Sequence, residues 1–111
     1  MKTEFEKMRS RELYCFADKE VDASAVHAKK LCAKLATMTL YDDNYREVME
    51  DLIPGFPKSA NLCPPFVCDH GSGIIIGENV FINHNCVMLD SAYIRIGKNT
   101  ENEVYKVCKI L

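Results

Sequence analysis

The chain reads as a small helical region followed by the opening coils of a repetitive β structure. Three observations predict this. Apolar residues recur at helical spacing as far as Ile53. After Pro64-Pro65 the period shortens to very short β-branched strands separated by Gly, Asn and Asp. Ile76-Gly77-Glu78-Asn79 then returns, twenty residues on, as Ile96-Gly97-Lys98-Asn99. The division expected is a helical domain over 1–57, the first coils over 61–99, and an atypical tail over 100–111.

The elements follow in order. Thr3 and Glu6 have capping-box spacing, and Phe5 and Met8 share a face of the helix they begin. Leu13, Tyr14 and Phe16 are expected to gather into an apolar knot where that helix ends. Asp22 or Ser24 would cap a second helix, in which Ala25, Ala28, Leu31, Cys32 and Leu35 form the stripe and Lys29, Lys30 and Lys34 the wet side. A third helix is expected to start after Asp42 or Asp43, where acids suit the helix dipole. Its stripe is Tyr45, Val48, Met49, Leu52 and Ile53, and Pro54-Gly55-Phe56-Pro57 ends it. Three such helices are marginal alone, so their stripes need the second half, or another subunit, to cover.

In the second half Phe66-Val67-Cys68 is extended and Asp69-His70-Gly71-Ser72-Gly73 is a turn. Ile76, Ile82, Met88 and Ile94 are then spaced by six. Three short faces at that spacing make a triangular coil of roughly 18 residues with β-branched side chains inside. The twenty-residue step from Gly77 to Gly97 requires two residues to bulge out, near Asp90-Ser91. A plain antiparallel β domain is the alternative that periodicity leaves open.

Composition narrows the function classes. The 111 residues are 48% hydrophobic and 27% charged, as in a folded domain, and the net charge of −2 gives no basic face for nucleic acid. The charged N-terminus has no apolar signal core, and no apolar run is long enough for a membrane span, which makes the cytoplasm the expected compartment. In that setting the six cysteines read as reduced small hydrophobes rather than a disulfide scaffold.

Four stretches carry a family resemblance: Lys7-Met8 to Glu12-Leu13-Tyr14, Pro64 to Gly71, Ile76 to Asp90, and Ile94 to Asn99. In them the chain resembles the maltose and galactoside O-acetyltransferases of the hexapeptide-repeat acyltransferase superfamily. The resemblance implies a helical N-terminal domain and a left-handed parallel β-helix. It also implies acetyl-CoA as acyl donor, a sugar hydroxyl as acceptor and assembly as a trimer. In that family a histidine takes the proton of the acceptor hydroxyl, whose oxygen attacks the thioester carbonyl. That histidine stands in a Thr-x-x-His-Pro-like segment just after the coil beginning at Ile96-Gly97. The present chain has no such segment, and the CoA cleft is built largely by later coils. The reading is therefore an acetyltransferase lineage, truncated and inactive alone. The competing reading is a non-catalytic oligomerising or interaction module, with Tyr105, Val107, Ile110 and Leu111 folded over the open end of the last coil.

The resemblance implies a site. Asn83 matches a family asparagine near the catalytic histidine and acceptor; an amide orients that ring or binds a hydroxyl, or else joins an asparagine ladder at a corner. Asp69 matches an acceptor-pocket position, or caps the Gly71–Gly73 turn. Asp90 would sit beside the acceptor, or serve as a corner residue. Phe81 would shape the apolar wall, or simply pack. Phe16 stands where relatives carry a polar acceptor contact, with Asp18 close by. No catalytic base is complete and no CoA-binding residue is assigned. His27 reads as a surface residue, and neither His70 nor His84 matches the missing base. A zinc site from Cys63, Cys68, His70, His84 and Cys86 lacks knuckle spacing, so no metal is expected.

Overall fold

The structure, a computed structural model, describes residues 1–101 and the backbone of Lys109–Ile110. Helix α1 spans Glu4–Arg9, and the capping box forms as its spacing predicts. The Thr3 hydroxyl accepts from the Glu6 amide at 3.1 Å, and the Glu6 carboxylate accepts from the Thr3 amide at 2.8 Å. The chain leaves α1 through Arg11 in the left-handed region (φ 64°) and runs outward. Leu13 and Phe16 are therefore exposed, at 97% and 77%, and the expected apolar knot does not form.

Helix α2, Lys19–Leu35, begins earlier than Asp22 or Ser24 would place it. Asp18 is the cap: its carboxylate accepts from the amides of Glu20 and Val21 at 3.1 and 3.2 Å. The buried stripe is Val21, Ala28 and Leu35, with Leu31 and Cys32 partly covered. Helix α3, Tyr45–Leu52, follows Asn44, which makes no side-chain cap. Asp42 instead closes the preceding turn on Thr39. All five residues of its predicted stripe are buried. Eight residues are too few for a helix to persist in water. Burial of four large side chains, at roughly 1.5–3 kcal/mol each, is what holds α3 in place.

Among the described residues seven short strands follow: β1 Asn61–Leu62, β2 Phe66–Cys68, β3 Ile74–Ile76, β4 Phe81–Ile82, β5 Cys86–Met88, β6 Ile94–Ile96 and β7 Lys109–Ile110. They form three faces, β1–β4, β2–β5–β7 and β3–β6. Every pair is parallel, which removes the antiparallel alternative. Leu62 stacks on Ile82, Cys68 on Met88 and Ile74 on Ile94. Each coil thus takes twenty residues, not eighteen, and Ile94 lies over Ile74 rather than continuing a six-residue series from Ile76. The two added residues sit in the long corner 89–93, where they were expected, and in its equivalent 69–73.

The asparagines of the repeated tetrapeptide have a backbone reason. Asn79 (φ 56°) and Asn99 (φ 62°) turn the corners in left-handed conformation, which asparagine tolerates. They stack, with the Asn79 amide donating to the Asn99 side-chain oxygen at 3.3 Å. The repeat does not stop at Asn99. The Phe81 amide donates to the Thr100 carbonyl at 2.9 Å, Phe81 pairs in parallel with Glu101, and β7 pairs with β5 two residues out of the earlier register. The expected cap residues Tyr105, Val107 and Leu111 lie outside the described residues, as does the side chain of Ile110.

One hydrophobic core runs through both halves. Ala28, Leu35, Met49 and Leu52 from the helices share it with Leu62, Phe66, Ile74 and Ile82 from the coils. The helical stripes are thus covered within the same chain. Tyr45 fastens the join: its hydroxyl donates to the Leu62 carbonyl at 2.6 Å and accepts from the Leu62 amide at 2.8 Å. Among the described residues no helix is long and apolar enough to cross a membrane.

Candidate functional site

Asn83, Asp69 and Asp90 flank one face, while Phe81 and Asp18 lie elsewhere. Strands β2 and β5 present Val67 and Val87 outward, Val67 half exposed. The corner 83–85, carrying Asn83, leads into this face. The corner 69–73, carrying Asp69, leads out of it, with Asp90 in the corner stacked above. A three-residue strand spans about 10 Å, so the Asn83 and Asp69 corners bound a strip of about that length.

Asp90 is the structural centre of one end. It is fully buried, and its carboxylate accepts from the amides of Asp69 at 3.1 Å, His70 at 2.9 Å and Gly73 at 3.0 Å. Three amides on one carboxylate make a rigid anion nest. In this geometry Asp90 is a corner residue that positions Asp69. Asp69 itself is half-buried, and its carboxylate accepts no hydrogen bond from the described residues. It does not cap the turn; Asp90 does that. Gly71 permits the corner, because it holds φ 80° and a Cβ there would lie 2.8 Å from Leu52 Cδ1.

Arg9 locks the same corner from α1. Its guanidinium donates to the carbonyls of Asp90 and Ser91, the latter at 3.0 Å, and to Ser72 Oγ at 2.6 Å. It lies over the rings of Phe5 and Tyr93 at 4.9 and 5.2 Å. Sequence reasoning missed Arg9, since one arginine on a short charged helix carries no periodic signal. His70 is also interior, with Nδ1 2.8 Å from Ser24 Oγ and its ring edge-on to Phe5. Burial pushes its imidazole below the ordinary value, opposed by Asp90.

At the other corner Asn83 is buried, and its Oδ1 accepts from the His84 amide at 2.9 Å. His84 is exposed. Its Nδ1 donates to the Pro64 carbonyl at 2.5 Å. Beside it Met38, Leu40, Tyr41 and Cys63 line a cavity of about 230 Å³. Phe81 lies on the preceding face, half-buried and paired with Asn61. Asp18 is occupied at the N-terminus of α2. His27 is exposed beside Asp51, at 3.1 Å. Among the described residues no three His, Cys, Asp or Glu side chains converge to hold a metal. Cys63, Cys68 and Cys86 are interior and the two corner histidines point their ring nitrogens elsewhere.

Comparison with known proteins decides the lineage. A hexapeptide-repeat-containing acetyltransferase of Vibrio cholerae O1 biovar eltor, solved with acetyl coenzyme A, superposes with a TM-score of 0.78 at 31% identity. The match covers 90% of this chain and 57% of that one. A maltose O-acetyltransferase of Clostridium difficile 630 superposes with a TM-score of 0.81 at 28% identity, over 90% of this chain and 54% of the other. Nodulation protein L of Rhizobium meliloti (strain 1021) is 37% identical over 105 residues, 89% of this chain and 55% of the relative. The chain belongs to the hexapeptide-repeat acyltransferase superfamily. Its coils are those of a left-handed β-helix, and its lineage is that of acetyl-CoA-dependent acetyltransferases. No family model matches the chain. The chain spans about half the length of the curated relatives it matches.

Proposed function

We propose that this stretch of a hexapeptide-repeat acetyltransferase forms the acceptor side of a sugar O-acetyltransferase site, of the maltose or galactoside type. The observation that carries the reading is Asp69. Its carboxylate is half-buried, without a partner among the described residues, and held in place by the Asp90 nest and Arg9. A carboxylate in such a place binds hydroxyl groups by charge-assisted hydrogen bonds. Asn83 supports the opposite end of the strip by its placement beside β5, Phe81 adds apolar wall, and Asp18 contributes only through the loop it caps.

In this reading acetyl-CoA is the donor substrate. The acceptor hydroxyl loses its proton to a base and its oxygen attacks the thioester carbonyl; the acetyl–sulfur bond then breaks and the CoA thiol leaves. Asp69 and Asn83 hold the acceptor, and neither is that base. His84 is fixed by its bond to Pro64 beside the neighbouring cavity, but positions on one corner do not replace a base supplied by another coil. The helical domain 1–57 and the coils 61–99 act as one support for the strip.

The 111-residue polypeptide is expected to bind acceptor weakly and to transfer no acetyl group by itself. Saturation-transfer NMR with maltose and a galactoside tests the first part. Sugar signal in the wild type, lost in Asp69→Asn, is the expected result. An unchanged signal in Asp69→Asn overturns the role of Asp69, and no signal with any sugar overturns the acceptor reading. Thiol release from acetyl-CoA above a heat-killed control overturns the second part.

A second reading, an oligomerising module on the same fold, draws on Leu13 and Phe16, which stand exposed on one loop. In a trimer of the family kind this loop would be covered by another copy. Light scattering after size exclusion distinguishes a discrete trimer from a monomer.

A further inference from the structure

Helix α2 crosses strand β2, and the crossing sets two thiols against each other. Cys32 Sγ lies 3.8 Å from Cys68 Sγ, across 36 residues of sequence. Only the fold makes them neighbours. Cys32 is half-buried at the rim of the helix, and Cys68 is interior at 4% exposure. A thiol–thiol hydrogen bond is weak, so two aliphatic side chains would serve packing as well. The pair is nevertheless polarised. The contact with Cys68 brings the Cys32 pKa down to about 7, against the effect of burial. The same contact, with burial, pushes the Cys68 thiol up. Cys32 is thus the sulfur that ionises near neutrality and the one that solvent reaches, and thiolate character with access is what selects a reactive cysteine.

We propose that Cys32 and Cys68 form a reversible dithiol–disulfide pair, with Cys32 the attacking thiol and Cys68 the resolving thiol. The oxidant class is a hydroperoxide, small enough to reach a half-buried sulfur. The Cys32 thiolate attacks the terminal oxygen; an S–O bond forms, the O–O bond breaks, and hydroxide or alkoxide leaves. The Cys68 sulfur then attacks the Cys32 sulfenic sulfur. The S–S bond forms, the S–O bond breaks, and the Cys68 proton departs with the hydroxyl as water. The peroxide gains two electrons and the dithiol loses two. The sulfurs close by about 1.8 Å to reach disulfide length, a movement within reach of rotamer adjustment at the helix rim. The bond would join α2 covalently to the strand that runs directly into Asp69, and so stiffen the corner 69–73.

The test is hydrogen peroxide treatment of the wild-type chain at low micromolar concentration and neutral pH, then alkylation and peptide mapping without reductant. The expected product is a peptide pair joined through Cys32 and Cys68, with the intact mass lower by about 2 Da and restored by a dithiol reductant. The oxidised chain is expected to melt at least roughly 5 °C higher than the reduced chain. Cys32→Ser, at a half-buried position, is expected to remove both the linked pair and the shift. Linkage of Cys32 to any other cysteine overturns the proposal. So does oxidation that stops at Cys32 with Cys68 still alkylatable. A linked pair with unchanged melting overturns the stiffening. The mapping needs no substitution in the core, so it does not depend on a variant's folding.

Discussion

Asp90 shows how a residue that looks like a ligand becomes part of the frame. Its carboxylate satisfies three backbone amides that have no other acceptor in the corner. Asp90→Ala would leave these donors buried, at about 1–3 kcal/mol for an unsatisfied group. A loss of about 3 kcal/mol or more is expected in urea unfolding; a loss under about 1 kcal/mol would contradict the frame role. His70 gives the corner an acid sensitivity. Its folded pKa lies below the ordinary 6.5 because burial disfavours the charged ring. The unfolded state therefore binds more protons as pH falls through about 6.5, and stability falls with it. Above that pH the ring is neutral in both states and contributes no slope. Thermal midpoints between pH 7.5 and 5 are expected to drop in the wild type and to drop less in His70→Asn, whose amide can still meet Ser24.

At the scale of elements, capping chemistry was legible and its exact owner was not. Thr3 and Glu6 could be read because a capping box is a local pattern whose partners sit three residues apart. The spacing offers Asp22 or Ser24 as the start of α2, but the cap falls at Asp18, which lets Val21 be buried in the first turn. Asp18→Ala is expected to cost about 1 kcal/mol through the lost cap, with Asp18→Asn close to neutral, since asparagine caps as well. Denaturation midpoints of the two variants check this. A large loss in both would place Asp18 in something other than a cap. The strands show the same division. Their existence followed from the short β-branched runs. Their register was legible in part: the step from Gly77 to Gly97 set a coil of twenty residues, while the six-residue series wrongly ran from Ile76 on to Ile94, which instead lies over Ile74.

For the whole molecule, the shared core predicts a single cooperative unfolding. Helical and β regions bury their apolar faces against each other, through Leu52, Leu62 and Phe66 in one cluster. Far-ultraviolet circular dichroism and tyrosine fluorescence are expected to report coincident transitions. Tyr45, one of five tyrosines, contributes to that fluorescence from the helix–coil join. Separate transitions would show two independently stable units.

The sequence by itself determined the order of helices and short strands, the recurrence of a coil, and the lineage. These depend on period and on tetrapeptides that hold their own left-handed corners, and both are local. Only the tertiary structure decided that the Asp69 carboxylate has no hydrogen-bond partner among the described residues while Asp90 and Asp18 are occupied. It also decided that Arg9 grips the same corner from 81 residues away and that Cys32 meets Cys68. The physical reason is that a polar side chain's role is set by which backbone groups and charges surround it after folding, and residue type alone carries no record of those neighbours.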